Sequence, residues 1–328
     1  MKAESPLRLG SRRSPMAVAQ SGEVARLITE RTGRLVEIVG VTTFGDVSRE
    51  HLTQIGGTGV FVSALRESLL DGEVDFAVHS LKDLPTAAPD GITLAAVPPR
   101  DDPRDALVGR DGAKLADLPP SARIGTGSPR RAAQLGLLRG DVTCVPIRGN
   151  ANTRLAKVRD GDLDAVVLAY AGLARIGRTD LVSEIFEPDA MIPAPGQGAL
   201  AVECRASDTE LTELLATIDH APTRAAVTAE RGLLAALEAG CSAPIGAYAA
   251  FTGARLHLDA VVLGATPVLR PQGVDIAAGG SGTIVIRERG EADGRDAALL
   301  GRDLAARMLA LGAASLMGAK TDRDDAHD

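Results

Sequence analysis

Arg8-Leu-Gly-Ser-Arg-Arg-Ser-Pro15 and, one residue shorter, Arg123-Ile-Gly-Thr-Gly-Ser-Pro129 are two versions of one device. In each, a short apolar stretch runs into a glycine-containing turn and then a Ser-Pro pair. The serine offers a side-chain cap, and proline suits the first helical position, where its missing N–H costs nothing. Each stretch therefore predicts a strand feeding a helix. A second pair strengthens the parallel: Gly72-Glu-Val-Asp-Phe-Ala-Val78 matches Gly161-Asp-Leu-Asp-Ala-Val-Val167, so helix end, turn and buried strand recur in the same order. We expect an internal duplication; the alternative is chance likeness between two ordinary strand-loop-helix units, which use few residue types.

Working outward, apolar runs at 7–10, 36–41, 75–79 and 92–97 alternate with helical patterns at 15–31 and 61–70, the βαβαββ order of an α/β fold. Pro98-Pro-Arg-Asp-Asp-Pro103 has the prolines and charges of a crossover, and Ile192-Pro-Ala-Pro-Gly-Gln-Gly198 looks like a return crossing. Two similar lobes joined twice imply a cleft between them. A helical pattern then runs from Ala221 to Ala239 with Gly240 as its expected C-terminal cap, followed by strand patterns at 255–263 and 283–288 and a last helix at 295–311. The expected organisation is lobe 1 from 1–98 with 199–216, lobe 2 from 104–192, a small α+β domain from 217–313, and a disordered polar tail from 314–328.

At 328 residues the chain is long enough for two or three cores, and its net charge of -7 speaks against general attraction to nucleic acid or an anionic membrane. Aromatics at 2%, with no Trp, leave few platforms for stacking on bases. There is no uncharged apolar run of about 18 residues and no signal-peptide core near the N-terminus, so a cytoplasmic location is expected. Cys144, Cys204 and Cys241 lie too far apart for a disulfide framework or a paired metal-ligand spacing, and no metal is expected. Cys144 and Cys204 sit in apolar strand patterns and read as small core residues.

The chemistry is carried by a different set. Arg130 and Arg131 fall in a first helical turn, where the macrodipole disfavours cations, so an anion should compensate them. Arg12 and Arg13 stand just before the other Ser-Pro start, and both starts add free backbone N–H groups. Arg148, Arg154 and Arg175 follow at further loop-to-helix transitions. Such an array suits a ligand with many carboxylates or phosphates, whereas each arginine taken alone reads as well as a solvated surface side chain. Asp83, in Ser80-Leu-Lys-Asp-Leu-Pro85, has no acidic counterpart in the matching Ala169-Tyr-Ala-Gly-Leu173. It is a candidate general acid or base, or a simple turn cap before Pro85. The glycine-rich stretch at 42–59 could form a lid, and it lacks the pattern of a nucleotide loop. Cys241, in Gly-Cys-Ser-Ala-Pro-Ile-Gly246, reads equally as an ordinary loop cysteine and as a nucleophile.

In order along the chain, Arg12-Arg-Ser-Pro15, Gly45-Asp46, His79-Ser-Leu-Lys-Asp83, Asp102-Pro-Arg-Asp-Ala106, Gly125-Thr126 with Ser128 and Arg130-Arg131, Arg148-Gly-Asn150, residues 193–203 and residues 240–246 resemble the porphobilinogen deaminase (hydroxymethylbilane synthase) family. The resemblance implies two lobes akin to periplasmic binding proteins, and a third domain whose Cys241 holds a dipyrromethane cofactor through a thioether. Four porphobilinogens are then added head to tail and hydroxymethylbilane is released by hydrolysis. It further implies Asp83 as the catalytic residue; Lys82, Asp83, Ser128, Arg130, Arg131 and Gly149 at the cofactor; and Arg12, Ser14, Arg148, Arg154, Arg175 and Gln197 at the substrate. A monomer with a transient hand-off to uroporphyrinogen III synthase is expected, and neither a nucleic-acid nor a membrane partner. The chain departs from better-known bacterial members at Gln54 and Thr58, where lysine is usual, and at Gly127 and Pro129, which replace serine and leucine.

Overall fold

The computed structural model describes residues 5–41, 59–238, 243–265 and 283–317. The expected lid, with Gln54 and Thr58, falls outside them, as do Gly240 and Cys241. Gly59 belongs to a helix instead of the lid.

Lobe 1 opens with β1 (Leu7–Ser11), α1 (Pro15–Thr32), β2 (Val36–Gly40), α2 (Gly59–Leu70), β3 (Phe76–Ser80) and β4 (Ile92–Ala96). The Ser14 hydroxyl caps α1 by accepting from Ala17 N at 3.3 Å, and Gly33, at φ 73°, ends it. Gln20, Val24 and Ile28, four residues apart, give α1 the buried stripe that seats it on the sheet. The chain then crosses to β5 (Asp105–Gly109), β6 (Arg123–Gly125), α3 (Pro129–Leu138), β7 (Thr143–Val145), α4 (Ala151–Arg159), β8 (Ala165–Ala169), α5 (Tyr170–Arg175) and β9 (Glu184–Phe186). It returns through β10 (Leu200–Arg205) and α6 (Thr209–Ala216).

The duplication is visible in the sheets. One has the order β2-β1-β3-β10-β4 and the other β7-β6-β8-β5-β9. In both, the first two pairings are parallel and the fourth strand is antiparallel to its neighbours. Those fourth strands, β10 and β5, each follow a crossing between the lobes. The repeated Gly-x-x-Asp turn is used alike as well: Asp75 accepts from Arg8 N at 2.7 Å, and Asp164 from Arg123 N at 2.8 Å. Strands β3, β5 and β8 are buried almost throughout, as expected where helices cover both faces of a sheet.

The third unit is an antiparallel meander of β11 (Ile245–Thr252), β12 (Arg255–Ala265) and β13 (Thr283–Asp293). Against one face lie α7 (Ala221–Ala236) and α8 (Ala297–Ala310), sharing a core that includes Leu233, Leu258 and Leu304. Val261, Leu263 and Val285 form a separate cluster with Ala133 and Leu137 of α3, so lobe 2 packs on this sheet through that helix. Two expectations need correction. Helix α7 stops at Ala236, and the left-handed residue beyond it is Glu238, at φ 51°, before Gly240 is reached. The tail from 314 begins as structure: α9 (Ala313–Leu316) packs Leu316 and Met317 against the third core. Cys204 is fully buried and Cys144 partly so. Among the described residues, no helix is long and apolar enough to cross a membrane, and no group of His, Cys, Asp and Glu could hold a metal ion.

Candidate active site

The site residues come from the carboxyl ends of parallel strands, the usual place for a ligand in open α/β sheets. Past β3 the chain makes a tight turn, Leu81–Asp83. Leu81 and Leu84 are buried on either side of it, which leaves Asp83 exposed between two anchored neighbours. Past β6, Ser128 caps α3 by accepting from Arg131 N at 3.4 Å. Past β7, Asn150 caps α4 by accepting from Thr153 N at 2.9 Å, with Gly149, at φ 100°, making the turn into it. Arg148 there is exposed, while Arg154, in the first turn of α4, donates to Gly149 O at 2.8 Å.

Arg130 and Arg131 are buried, and the anion they require is Asp105 on β5, itself fully enclosed. Arg130 Nη1 lies 2.7 Å from Asp105 Oδ2 and donates to Ile192 O; Arg131 Nη2 lies 2.7 Å from Asp105 Oδ1 and Nη1 donates to Val167 O. Burial works against the Asp105 charge, but the two guanidiniums override it and hold the carboxyl far below the usual carboxylate range. Gln197, buried in the return crossing, donates to Asp105 Oδ1 at 2.9 Å and to Pro103 O at 2.7 Å. Its carbonyl oxygen accepts from Arg131 at 3.3 Å and from Lys82 of lobe 1 at 3.4 Å. One glutamine thus brings the Lys82-Asp83 turn to the arginine pair of lobe 2.

Lys82, Arg130, Arg131 and Arg154 together exceed the negative charge of Asp105 and Asp83, and the surplus can be felt inside the cluster. Burial pushes the Lys82 ammonium down to about 8, with Arg131 and Arg130 pressing the same way and Asp83 and Asp105 opposing. Burial, then Arg131, also lowers Arg154. A set of cations that depress one another's charge is a site short of anions, and the several carboxylates of a dipyrromethane fit it.

Other expected residues have partners of their own within the protein. The Ser14 and Ser128 hydroxyls are helix caps. Arg12 is half-buried between β1 and α1. Arg175 is the last residue of α5, not a lead into a helix, and its side chain is only 8% exposed; it pairs with Asp101 at 2.7 Å, donates to Gly198 O at 2.9 Å and lies 3.6 Å from Glu23 of α1. It ties lobe 2 to the crossings and to lobe 1. Asp105 was missed by sequence reasoning, although a carboxylate opening the apolar run Asp-Ala-Leu-Val was a signal. So were Arg100 and Glu230. Glu230 of α7 is fully enclosed, paired with Arg100 of the outward crossing at 2.6 Å, and accepts from Gly196 N and Ala249 N.

The fold and site define a two-lobed α/β protein that gathers cations from both lobes beside an exposed acid. The family model described as "Porphobilinogen deaminase, dipyromethane cofactor binding domain" matches residues 7–213, and that of the porphobilinogen deaminase C-terminal domain matches 224–267. The porphobilinogen deaminase of Thermobifida fusca is 66% identical over 261 residues, covering 79% of this chain and 82% of that one. Porphobilinogen deaminase 1 of Streptomyces coelicolor is 56% identical over 322 residues, covering 96% and 98%. A periplasmic substrate-binding protein of Coxiella burnetii aligns with 66% of the chain and 93% of its own at a TM-score of 0.40 and 16% identity, a loose likeness. The chain belongs to the porphobilinogen deaminase family.

Proposed function

We propose that this chain deaminates four porphobilinogens, joins them head to tail on a dipyrromethane held by Cys241 and releases hydroxymethylbilane by hydrolysis. The observation that carries this reading is the cation surplus of Lys82, Arg130, Arg131 and Arg154 beside the exposed Asp83, within a chain of this family. The bound dipyrromethane supplies the free α-carbon to which the first substrate is joined. The cations bind the acetate and propionate groups, and Gln197, accepting from both Arg131 and Lys82, holds these two cations side by side. As the substrate's amino group departs as ammonia, leaving its methylene carbon on the ring, the pyrrole nitrogen gains positive charge, which the Asp83 carboxylate stabilises while accepting a hydrogen bond from the N–H. When the new carbon–carbon bond has formed, the same carboxylate takes the proton that leaves the α-carbon. Arg12, Arg148 and Arg175 meet substrate carboxylates as the chain lengthens, Arg175 by giving up its pair with Asp101. We place the enzyme in the cytoplasm as a monomer that passes its product to uroporphyrinogen III synthase.

The test is Asp83→Asn. The variant is expected to fold, to carry the mass of two pyrrole units on Cys241, and to incorporate porphobilinogen at least about 100-fold more slowly in single-turnover quench experiments. A near-normal rate rejects Asp83 as the proton-transfer group. Absence of the added mass from the native protein, with no ammonia released from porphobilinogen, rejects the whole reading.

A further inference from the structure

The turn that carries Asp83 is built from backbone whose carbonyls have few partners of its own making. Leu81 N donates to Ala199 O at 3.0 Å and Leu84 N to Leu81 O at 3.1 Å. The carbonyls of Leu81, Leu84 and Pro85 all converge on one side chain from a different domain: Arg231 of α7 donates from Nη1 to Leu84 O at 2.8 Å and to Leu81 O at 3.3 Å, and from Nη2 to Pro85 O at 2.7 Å. Four residues earlier on the same helix, Val227 packs in one cluster with Leu81 and Leu84. The helix therefore holds the turn twice, by apolar contact beneath it and by a rigid guanidinium fork around it. A planar fork spans three carbonyls in a way that a lysine ammonium, a single flexible point, does not.

We propose that Arg231 is a positioning residue for Asp83: it fixes the backbone on both sides of the acid and makes the 81–85 turn move with the domain that bears Cys241, which lies ten residues further along the chain. This rests on Asp83 being the proton-transfer group. The acid itself is exposed, so the precision of its placement comes from its anchored neighbours and from this clamp. A displacement of about 1 Å at such a group costs on the order of 100-fold in rate while leaving binding nearly untouched.

Arg231→Gln, Arg231→Lys, Arg224→Gln, Asp83→Asn and the double variant Asp83→Asn/Arg231→Gln test this in the holoenzyme. Arg224 is a matched control, because it also reaches from α7 to lobe 1 carbonyls, those of Leu94 and Ala95, away from Asp83. Arg231→Gln should keep the two-pyrrole mass, lose about 10- to 100-fold in single-turnover rate with KM changed less than about threefold, and show faster amide exchange confined to residues 81–84. Arg231→Lys should recover part of the rate and is the variant to use where the glutamine form does not fold. Arg224→Gln should retain its rate at a similar melting temperature. In the double variant the losses should not multiply, since removing the acid removes what Arg231 positions. Full rate in Arg231→Gln, equal losses in Arg231→Gln and Arg224→Gln, or multiplicative losses in the double variant would each overturn the proposal. A near-normal rate in Asp83→Asn alone instead overturns the acid on which it rests.

Discussion

Single residues in the site are poised by burial against charge, and two of them yield direct expectations. Lys82 has a folded-state value near 8 against an ordinary value of 10.5, so between those limits the unfolded chain binds more protons and stability rises with pH; below about 8 its full charging penalty is present. For the free enzyme the useful ammonium is lost as pH rises through 8. A decline in kcat/KM with a midpoint near 8 is therefore expected, and it should vanish in Lys82→Met; an unchanged limb in that variant would assign it to another group. Asp105 is the opposite case, a charge that two arginines keep ionised. Asp105→Asn leaves Arg130 and Arg131 buried without their anion and should cost about 3 to 5 kcal/mol in urea unfolding. The arginine pair was legible from its place in a helix start, and so was its need for an anion. Which anion was not: Asp105 lies 26 residues earlier, on a strand that reaches lobe 2 only through the crossing, and local spacing holds no trace of that pairing.

At the scale of elements, the strands and helices of the first lobe were readable because serine, proline and glycine punctuate long apolar periods. Strand β9, of three residues, is too short to show a period of two, and it exists because the longer β5 offers it a partner. The two crossings were legible from their prolines, their mutual contact was not. Gly198, at φ 87°, brings the return crossing so close to the outward one that an added Cβ would stand 2.6 Å from Asp101 O. Gly198→Ala should cost roughly 1 to 3 kcal/mol and push Asp101 away from Arg175, which chemical denaturation and a lowered thermal midpoint can record. No loss of stability would mean that the crossings have room to separate.

Across the whole molecule, the third domain touches both lobes but by unequal means. Toward the crossings it presents the enclosed Glu230, paired with Arg100, which also lies 5.4 Å over the Tyr248 ring. Toward lobe 2, Arg287 and Arg289 reach Asp189, whose side chain is 88% exposed. Removing Glu230 by substitution with alanine should cost about 3 to 5 kcal/mol, whereas Asp189→Ala should cost less than about 1 kcal/mol despite its several contacts, because solvent screens it. Equal losses in the two variants would contradict this ranking. The arrangement was only half legible: the duplicated lobes and the third domain could be read from pattern, while the charges that join them, Arg100 with Glu230 and Arg287 with Asp189 among them, stand singly on separate elements with no repeating signature.

The exchange of strands between lobes also sets an order of events on the ribosome. Among the described residues strand β4 pairs with β10 alone, and β3 lacks the same partner until residues 200–205 have been made. At ordinary synthesis rates that is a wait on the order of 5 to 20 s. The other sheet needs only residues 105–186, so it is complete while the first still shows two apolar strands with open edges. The lobe synthesised first is thus the one that finishes last, and the nascent chain spends that interval as its most aggregation-prone form, a hazard that the mature protein no longer displays.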